Sequence, residues 1–462
     1  MGQRVPRPTN QLHGPTRHLG RRYARFLMHL SPQQNIFYGF GLYTLLGTLA
    51  LCTPLCDTVG VPFIDHLFVA TSAISTTGLA TISVSDTYSW LGELIVMLLV
   101  QAGGIGYMTF TSFILLAGKS KFTHWHEKVL NVEFSLPTDL GMRDFVKSVI
   151  VFTAVCETIG ALLIFYYMRQ DGMALWPAVW SAVFHSVSSF CTAGFGLLNN
   201  SFENYAGHVG LNMTISVLSI LGGLGFIVVT DLWNRLRGVS DMMTFTTWVI
   251  LTVYLIVQVA GTLVIFFGEP SLAHMHTGQR LMASFFQAMS AITTVGFNTV
   301  PIGALSLPVL LCITFLMYVG ASPSGTGGGL KSTTIAALAA LMWSRIKGHG
   351  RVMLLGRKIP MERLYVATST YIFYTALVFL GTFLLSFSEP FAMERILFEV
   401  VSAIGTVGLS TGITGSLTVF GKLVITALMF IGRLGVITFG LAILARRAKA
   451  EPGSIATADL AV

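Results

Sequence analysis

Apolar residues run along this chain in long unbroken strings, as at 94–100 and 218–229, with neither the period-2 alternation of a half-buried strand nor the polar stripe of a surface helix. Such strings predict helices surrounded by apolar material on every side. The longest fall in pairs: 35–56 with 90–117, 144–168 with 209–233, 245–267 with 304–344, and 364–387 with 415–445. Between the members of each pair lies a short amphipathic segment, for example 66–75. About ten helical residues rise roughly 15 Å, half of a hydrocarbon core of about 30 Å, so such a segment must enter the membrane and return on the same side. A transmembrane barrel would instead show strands of alternating polarity.

The short segments are copies of one unit. AISTTGL at 73–79, SFCTAGF at 189–195, AITTVGF at 291–297 and AIGTVGL at 403–409 align on Gly78, Gly194, Gly296 and Gly408. Each has Thr two residues before the glycine, Ser six before it (Ser72, Ser188, Ser290, Ser402) and Phe ten before it (Phe68, Phe184, Phe286, Phe398). Glycine clusters recur about one membrane thickness later, as GGIGY from 103, GGLGF from 222, GASPSGTGGGLKS from 320 and GRLGV from 432. The fold class expected is an all-α polytopic membrane protein of four helix, pore-loop, helix repeats, with eight transmembrane helices around one central pore. The expected divisions are a basic arm 1–34, repeat one 35–118, a cytoplasmic loop with repeat two 119–234, repeat three 235–344 with an intramembrane loop 320–333, a cytoplasmic loop with repeat four 345–447, and a tail 448–462.

Composition sharpens this picture. Of the 462 residues 53% are hydrophobic and 10% charged, with a mean hydropathy of +0.72, against roughly 25% charged in a soluble domain. A water-soluble enzyme is excluded on that ground. The net charge of +8 is unevenly spread: the arm, the stretch 119–147, Arg235 and Arg237, the loop 345–363 and the residues 446–449 hold 22 of the 28 Lys and Arg. The positive-inside rule then puts both termini and the loops between repeats in the cytoplasm. The Arg-rich, acid-free start could also imitate a transit peptide, but Pro6, Pro8, Pro15 and Pro32 disfavour the amphipathic helix that one needs. Asp57, Asp65, Asp86, Glu93, Asp171, Glu203, Glu269, Glu389, Glu394 and Glu399 fall on the opposite side, so an acidic outer mouth that concentrates cations is expected. The five cysteines have no metal or disulfide spacing, and no nucleic-acid partner is expected.

The short segments suit a desolvated monovalent cation. Four helix C-termini converging on one place bring partial negative charge, and extended backbone after them can present rings of carbonyls. Glycine permits the backbone angles required, and threonine adds an oxygen without charge. Backbone of this kind is tolerated at membrane depth only where it lines a wet cavity or is buried in protein.

With those residues in view, the chain resembles the Trk/Ktr/HKT superfamily of potassium transporters over nearly all of its length after residue 35. The Ala321–Gly329 stretch and the absence of a helix pair ahead of repeat one make it most similar to the membrane subunits of Ktr systems. The resemblance implies a potassium selectivity filter at Thr76, Thr77, Gly78, Thr192, Ala193, Gly194, Thr294, Val295, Gly296, Thr406, Val407 and Gly408, with the ion held by their carbonyls. It implies a gate below the filter at Ala321, Ser322, Pro323, Ser324, Gly325, Thr326, Gly327, Gly328, Gly329 and Lys331, and at Arg433 as a positive barrier. It further implies a homodimer in a bacterial plasma membrane, a cytoplasmic RCK ring that carries the regulatory nucleotide, and sodium as an activator. A serine at the first filter glycine accompanies sodium preference in plant members, so Gly78 implies potassium. The filters nevertheless depart from the TVGYG of potassium channels, since Leu79, Phe195, Phe297 and Leu409 follow the glycines.

Several residues carry two readings. Arg433 inside a spanning helix is either the barrier or a partner of a helix-end carbonyl or carboxylate. The glycines and proline of 323–329 make a mid-membrane break that is either a moving loop or a fixed kink, while GTGGGLKST misses the Walker spacing because Leu330 precedes Lys331. Glu157 is either a cation site or a paired structural group. His124, Trp125, His126 and Glu127 form a weak metal motif better read as a solvated loop. The four Ser and four Phe read as caps and packing anchors, with no His or Asp recurring beside the serines. An intramembrane enzyme lacks its paired catalytic residues, and His185 with Ser186 has no third partner. A sodium-coupled symporter, or a sodium-conducting relative of the fold, is the alternative, although inverted rather than parallel repeats are usual in symporters.

Overall fold

The computed structural model describes residues 30–106, 142–238 and 242–444. The basic arm up to residue 29, His124–Glu127, the stretch 107–141 and the tail beyond 444 lie outside the described residues.

The chain folds almost entirely as helices. Helix α1 (Pro32–Leu51) starts from a capping box in which Ser31 Oγ accepts from the Gln34 amide and the Gln34 side chain accepts from the Ser31 amide. A short helix α2 (Phe63–Ile74), a single turn α3 (Val84–Thr87) and α4 (Trp90–Gly104) follow. Beyond residue 141 come α5 (Met142–Gln170), α6 (Leu175–Phe190), α7 (Val209–Leu224) and α8 (Phe226–Leu236). Then come α9 (Phe245–Gly268), α10 (Thr277–Thr293), α11 (Leu307–Tyr318) and α12 (Ser332–Ile346). A small antiparallel hairpin of β1 (Met353–Leu354) and β2 (Arg357–Lys358) leads to α13 (Met361–Ser388), α14 (Met393–Ile404), α15 (Val419–Leu434) and α16 (Val436–Leu444).

Packing closes these elements into a ring. The short helices α2, α6, α10 and α14 each pack on the helix before them and on the helix after them. The helix after each also reaches the next short helix: α4 touches α6, α7 touches α10, α11 touches α14, and α15 returns to α2. Phe68, Phe184, Phe286 and Phe398, one per short helix, are fully buried within this ring.

Span lengths differ from the expectation. Three helices are long and apolar enough to cross a membrane, namely α9, α13 and the Val146–Gln170 part of α5. The pairs α7 with α8 and α15 with α16 bend by 100° and 99°, giving five spans at most by length and composition among the described residues. The bends sit at Gly225 and Gly435, whose φ of 85° and 82° belong to the left-handed region that glycine adopts without strain. In α11 and α12 the same break widens into the segment between Tyr318 and Ser332. The long helices leave most of their surface outward, with Leu263, Phe267, Phe379 and Phe387 exposed, as acyl-chain contact requires.

Where α4, α7 and α15 cross the C-termini of α2, α6 and α14, glycine is obligatory. A Cβ at Gly103, Gly222 or Gly432 would overlap the carbonyl oxygen of Ile74, Phe190 or Ile404, the last helical residue of α2, α6 and α14. Backbone cannot yield there as a side-chain tip could. Gly432→Ala is therefore expected to cost about 1–3 kcal/mol and to lower the unfolding temperature of the detergent-purified protein. Gly278→Ala, at an open position of α10, should stay within about 0.5 kcal/mol of the parent.

Candidate functional site

The four short helices end alike. After the last helical turn the threonine of each T-x-G turns left-handed, with φ of 52° at Thr76, 51° at Thr192, 61° at Thr294 and 50° at Thr406. This conformation costs a β-branched residue about 1–2 kcal/mol, so the surroundings must hold it. They do so through a Schellman-type closure. The amides of Thr77, Ala193, Val295 and Val407 donate to the carbonyls of Ser72, Ser188, Ser290 and Ser402 at 2.8, 2.8, 3.1 and 2.8 Å. In two units the serine side chain joins in, since Ser72 Oγ and Ser402 Oγ accept from the amides of Gly78 and Gly408, both at 3.1 Å. Ser290 Oγ donates instead to the Phe297 carbonyl at 2.5 Å. All four threonines are fully buried.

Beyond them the chain runs through the four glycines, which meet in a closed cycle. A Cβ on Gly78 would strike the carbonyl oxygen of Ala193, one on Gly194 that of Val295, one on Gly296 that of Val407, and one on Gly408 that of Thr77. Each glycine thus lies against the backbone carbonyl of the next unit, and the fourth returns to the first. Their φ values of 66° to 93° exclude a side chain independently of the space. The result is a narrow collar of main-chain oxygens without an acidic side chain in it.

Outside the collar opens a cavity of about 430 Å³, lined by the four glycines together with Ser83, Asn199, Ser201, Asn298, Ser410 and Thr414. The acidic mouth expected from the sequence is not what forms. Asp86 and Glu203 approach only through Asn199 (2.9 Å) and Asn298 (2.7 Å). Other carboxylates are consumed in structural pairs. Asp57 accepts three backbone amides, from Val59, Gly60 and Val61, and lies 3.3 Å from His66 Nε2. Asp65 pairs with Lys422 at 2.5 Å, joining α2 to α15. Glu269 and Glu389 cap Ser306 and Thr418. Counting charge per side of a membrane does not distinguish a carboxylate facing an ion from one capping a helix.

On the other side of the collar the segment 320–333 folds back against the threonines. Thr326 is its centre: its Oγ1 lies 2.9 Å from Thr192 Oγ1 and 3.2 Å from the Phe190 carbonyl, its carbonyl accepts from Thr76 Oγ1 at 3.2 Å, and its amide donates to Gly222 at 3.1 Å. Gly328 N donates to Thr406 Oγ1 at 2.9 Å, and Gly327 has no room for a Cβ against Thr294 Oγ1. The segment thus meets the threonines of all four units. Ser322 N bonds the Gly223 carbonyl, and the Ser324 carbonyl accepts from Phe226 N, which ties the loop to the bend between α7 and α8. Ala321 and Ser332 close its base, with Ser332 N on the Ala321 carbonyl at 3.3 Å.

Arg433 reaches across to this loop. Its guanidinium donates to the carbonyls of Thr326 and Gly103, with Gly104 at 3.5 Å. A positive group on the carbonyl end of α4 and on the loop at once is favoured by the helix dipole. The helix-end partner considered for Arg433 is thus present, in the carbonyls at the end of α4. Lys331 Nζ donates to the Gly327 carbonyl at 2.9 Å, and the two cations border a cavity of about 220 Å³ with Gly325, Gly329 and Gly435. Glu157 accepts from Gln101 Nε2 at 3.2 Å near Cys191, so it is a hydrogen-bonded link between α5 and α4.

Chemically, a collar of neutral carbonyls at the converging C-termini of four helices can stand in for the hydration shell of a monovalent cation. Among the described residues no group of three His, Cys, Asp or Glu could hold a metal ion. The sequence signals the glycines and the loop by repetition and by glycine density. It does not signal the hub at Thr326, whose partners Thr192 and Thr76 lie 134 and 250 positions away. The left-handed threonines are set locally by the closure onto Ser72, Ser188, Ser290 and Ser402, in a conformation that β-branched residues rarely adopt.

Comparison with known proteins bears on this geometry. The chain matches the family described as TrkH, cation transport protein, over residues 35–240 and 241–453. It is 32% identical to the Ktr system potassium uptake protein B of Bacillus subtilis, covering 90% of this chain and 93% of that one. It is 34% identical to the potassium/sodium uptake protein NtpJ of Enterococcus hirae, over 92% and 96%. The crystal structure of the potassium transporter TrkH from Vibrio parahaemolyticus superposes with a TM-score of 0.70 at 16% identity, covering 88% of this chain and 83% of that one.

The hydrogen bonds at Thr326 make a direct prediction. Thr326→Val removes the hydroxyl contacts to Thr192 and Phe190 and keeps the backbone ones. Hydrogen exchange of the amides of 321–328 should quicken by about tenfold, as the loss of one or two bonds of about 0.5–1.5 kcal/mol requires, with α9 and α13 unchanged. An unaltered exchange pattern would show that the hydroxyl does not hold the loop.

Proposed function

Because the chain belongs to the TrkH family of cation transport proteins, we propose that it takes up potassium through the collar of Gly78, Gly194, Gly296 and Gly408, as the ion-translocating membrane subunit of a Ktr-type system. The observation that carries this reading is the closed cycle in which each of the four glycines lies against the carbonyl of the next unit. A cation entering from the outer cavity exchanges water for carbonyls of Thr76, Thr77, Thr192, Ala193, Thr294, Val295, Thr406 and Val407 with those glycines. The converging helix ends offset its desolvation.

Under this reading the segment Ala321–Gly329 with Lys331 is the gate. It sits where the ion must leave, held by neutral hydrogen bonds to Thr76, Thr192 and Thr406 that can be broken and remade at modest cost. Arg433 adds a fixed positive charge in the same place. Opening moves the loop from the threonines and draws the guanidinium off the axis. The four units supply eight membrane passes, with the bent and broken helices counted as single passes and both termini cytoplasmic. A homodimer in a bacterial plasma membrane, control by a cytoplasmic RCK ring that binds the nucleotide, and activation by sodium complete the proposal. Sodium conduction by the same collar, or coupling to sodium, is the second reading, and the likeness to a protein named for both potassium and sodium uptake favours keeping it.

Uptake of potassium and sodium by a potassium-transport-deficient bacterium expressing this chain, with and without an RCK partner, tests the proposal. Potassium uptake that depends on the partner supports it; uptake of sodium alone overturns the choice of ion. Arg433→Ala should raise cation flux at least about threefold by removing a charge from the exit. Gly78→Ser should lower the preference for potassium over sodium by about tenfold or more, because the collar must open on one side to admit a side chain.

A further inference from the structure

Nine residues before each collar glycine stands one column of side chains that differ in chemistry: Val69, His185, Gln287 and Glu399. All four are fully buried, each on the short helix that precedes the collar glycine and the irregular segment leaving it. In the second unit His185 Nδ1 lies 2.7 Å from the Ser181 carbonyl, to which it donates, leaving Nε2 to accept from the backbone amide of Leu197 at 3.3 Å. Leu197 is the third residue after Gly194. In the fourth unit Glu399 Oε1 accepts from Ser410 Oγ at 2.8 Å and from Thr414 Oγ1. Ser410 is the second residue after Gly408, and its Oγ in turn accepts from Gly412 N at 2.9 Å. In the third unit the Gln287 amide makes no hydrogen bond among the described residues, and in the first unit Val69 has none to make.

We propose that His185 and Glu399 are positioning residues that brace the collar's outer entrance on two opposite sides, and that this bracing sets how strongly the protein distinguishes potassium from sodium. The proposal rests on the collar being the filter. The packing order α2, α6, α10, α14 puts the second and fourth units across the ring from each other. A smaller ion is held well only if the carbonyls move inward. A side chain anchored in the buried helix and bonded to the segment just past the glycine resists that movement. On the sides of Val69 and Gln287 this column makes no such bond; in the third unit Ser290 Oγ instead holds the Phe297 carbonyl, one residue past the glycine.

The chain supplies its own test substitutions. Glu399→Val installs the residue of the first unit, and Glu399→Gln the residue of the third while keeping a carbonyl oxygen for Ser410 and Thr414. Apparent KM and maximal rate for potassium and for sodium are measured in cells matched for membrane-inserted protein, with Gly408→Ser alongside. The expected result is that Glu399→Val lowers the potassium-to-sodium ratio of rate over KM at least threefold, roughly the effect of losing one hydrogen bond, and that Glu399→Gln retains most of the ratio. A merely structural role would lower the amount of protein and leave the ratio alone. An unchanged ratio in Glu399→Val while Gly408→Ser alters it overturns the brace and keeps the filter. An equal loss in Glu399→Gln overturns the acceptor argument. No change in any of the variants, Gly408→Ser included, overturns the filter itself. If Glu399→Val does not reach the membrane, Ser410→Ala, which removes one of the two donors, is read by the same criteria.

Discussion

The left-handed threonine at the end of each short helix is the constraint from which the rest follows. At that residue the chain must leave the helix inside a medium that offers backbone groups no water. The 6→1 closure onto Ser72, Ser188, Ser290 or Ser402 satisfies the helix end and, in the same turn, sends the next carbonyl toward the neighbouring unit. The glycine that comes two residues later is then forced twice over, by its own φ and by the carbonyl pressed against it. A cycle of four such contacts has no free edge, so a change in one unit is felt by the next. This explains how a collar without a charged side chain keeps a fixed shape.

The same threonines serve the opposite face of the collar. The hydroxyls of Thr76, Thr192 and Thr406 bond the 320–333 segment, whose Thr326 is bonded to two units directly and to Arg433 through its carbonyl. Glycines at 327 and 328 are required by the closeness of Thr294 and Thr406 and not only by flexibility. A segment of this composition fits the crowded space below the collar, and it is held by several weak bonds and by two bonds from cationic side chains, Arg433 to the Thr326 carbonyl and Lys331 to the Gly327 carbonyl. Those features suit the gate proposed for it, which must be both stable and removable.

The carboxylates show how burial redirects charge. Read along the chain, ten acidic residues gather on one side and suggest an attractive mouth. In space Asp57, Asp65, Glu269 and Glu389 hold loops and helix ends, Glu93 accepts from Trp180, and the cavity above the collar is lined with hydroxyls, amides and glycines. Under the proposed function cation selectivity falls to backbone oxygens, whose positions are set by packing, and not to a field of side-chain charge.

Much was legible in the amino-acid sequence because the information is local or repeated. The apolar strings, the fourfold recurrence of F-xxx-S-xxx-T-x-G and the glycine density of 320–329 determined the helical class, the short helices between the long ones, the four glycines that meet in the collar and the loop. The near-right-angle bends at Gly225 and Gly435 were visible only as glycines, since how far a chain turns at glycine depends on what it packs against, here the carbonyl of Pro323 beside Gly225. The partners of Arg433, the hub at Thr326, the clasp of Ser72 and Ser402 on their glycines, and the column of His185 and Glu399 behind the collar were decided by the tertiary structure alone. The first two join segments 107 to 330 positions apart that ring closure brings together, whereas the serine clasps and the bonds of His185 and Glu399 span only 6 to 15 positions and depend on how the chain turns back past each glycine. A one-dimensional pattern carries composition and spacing but neither geometry.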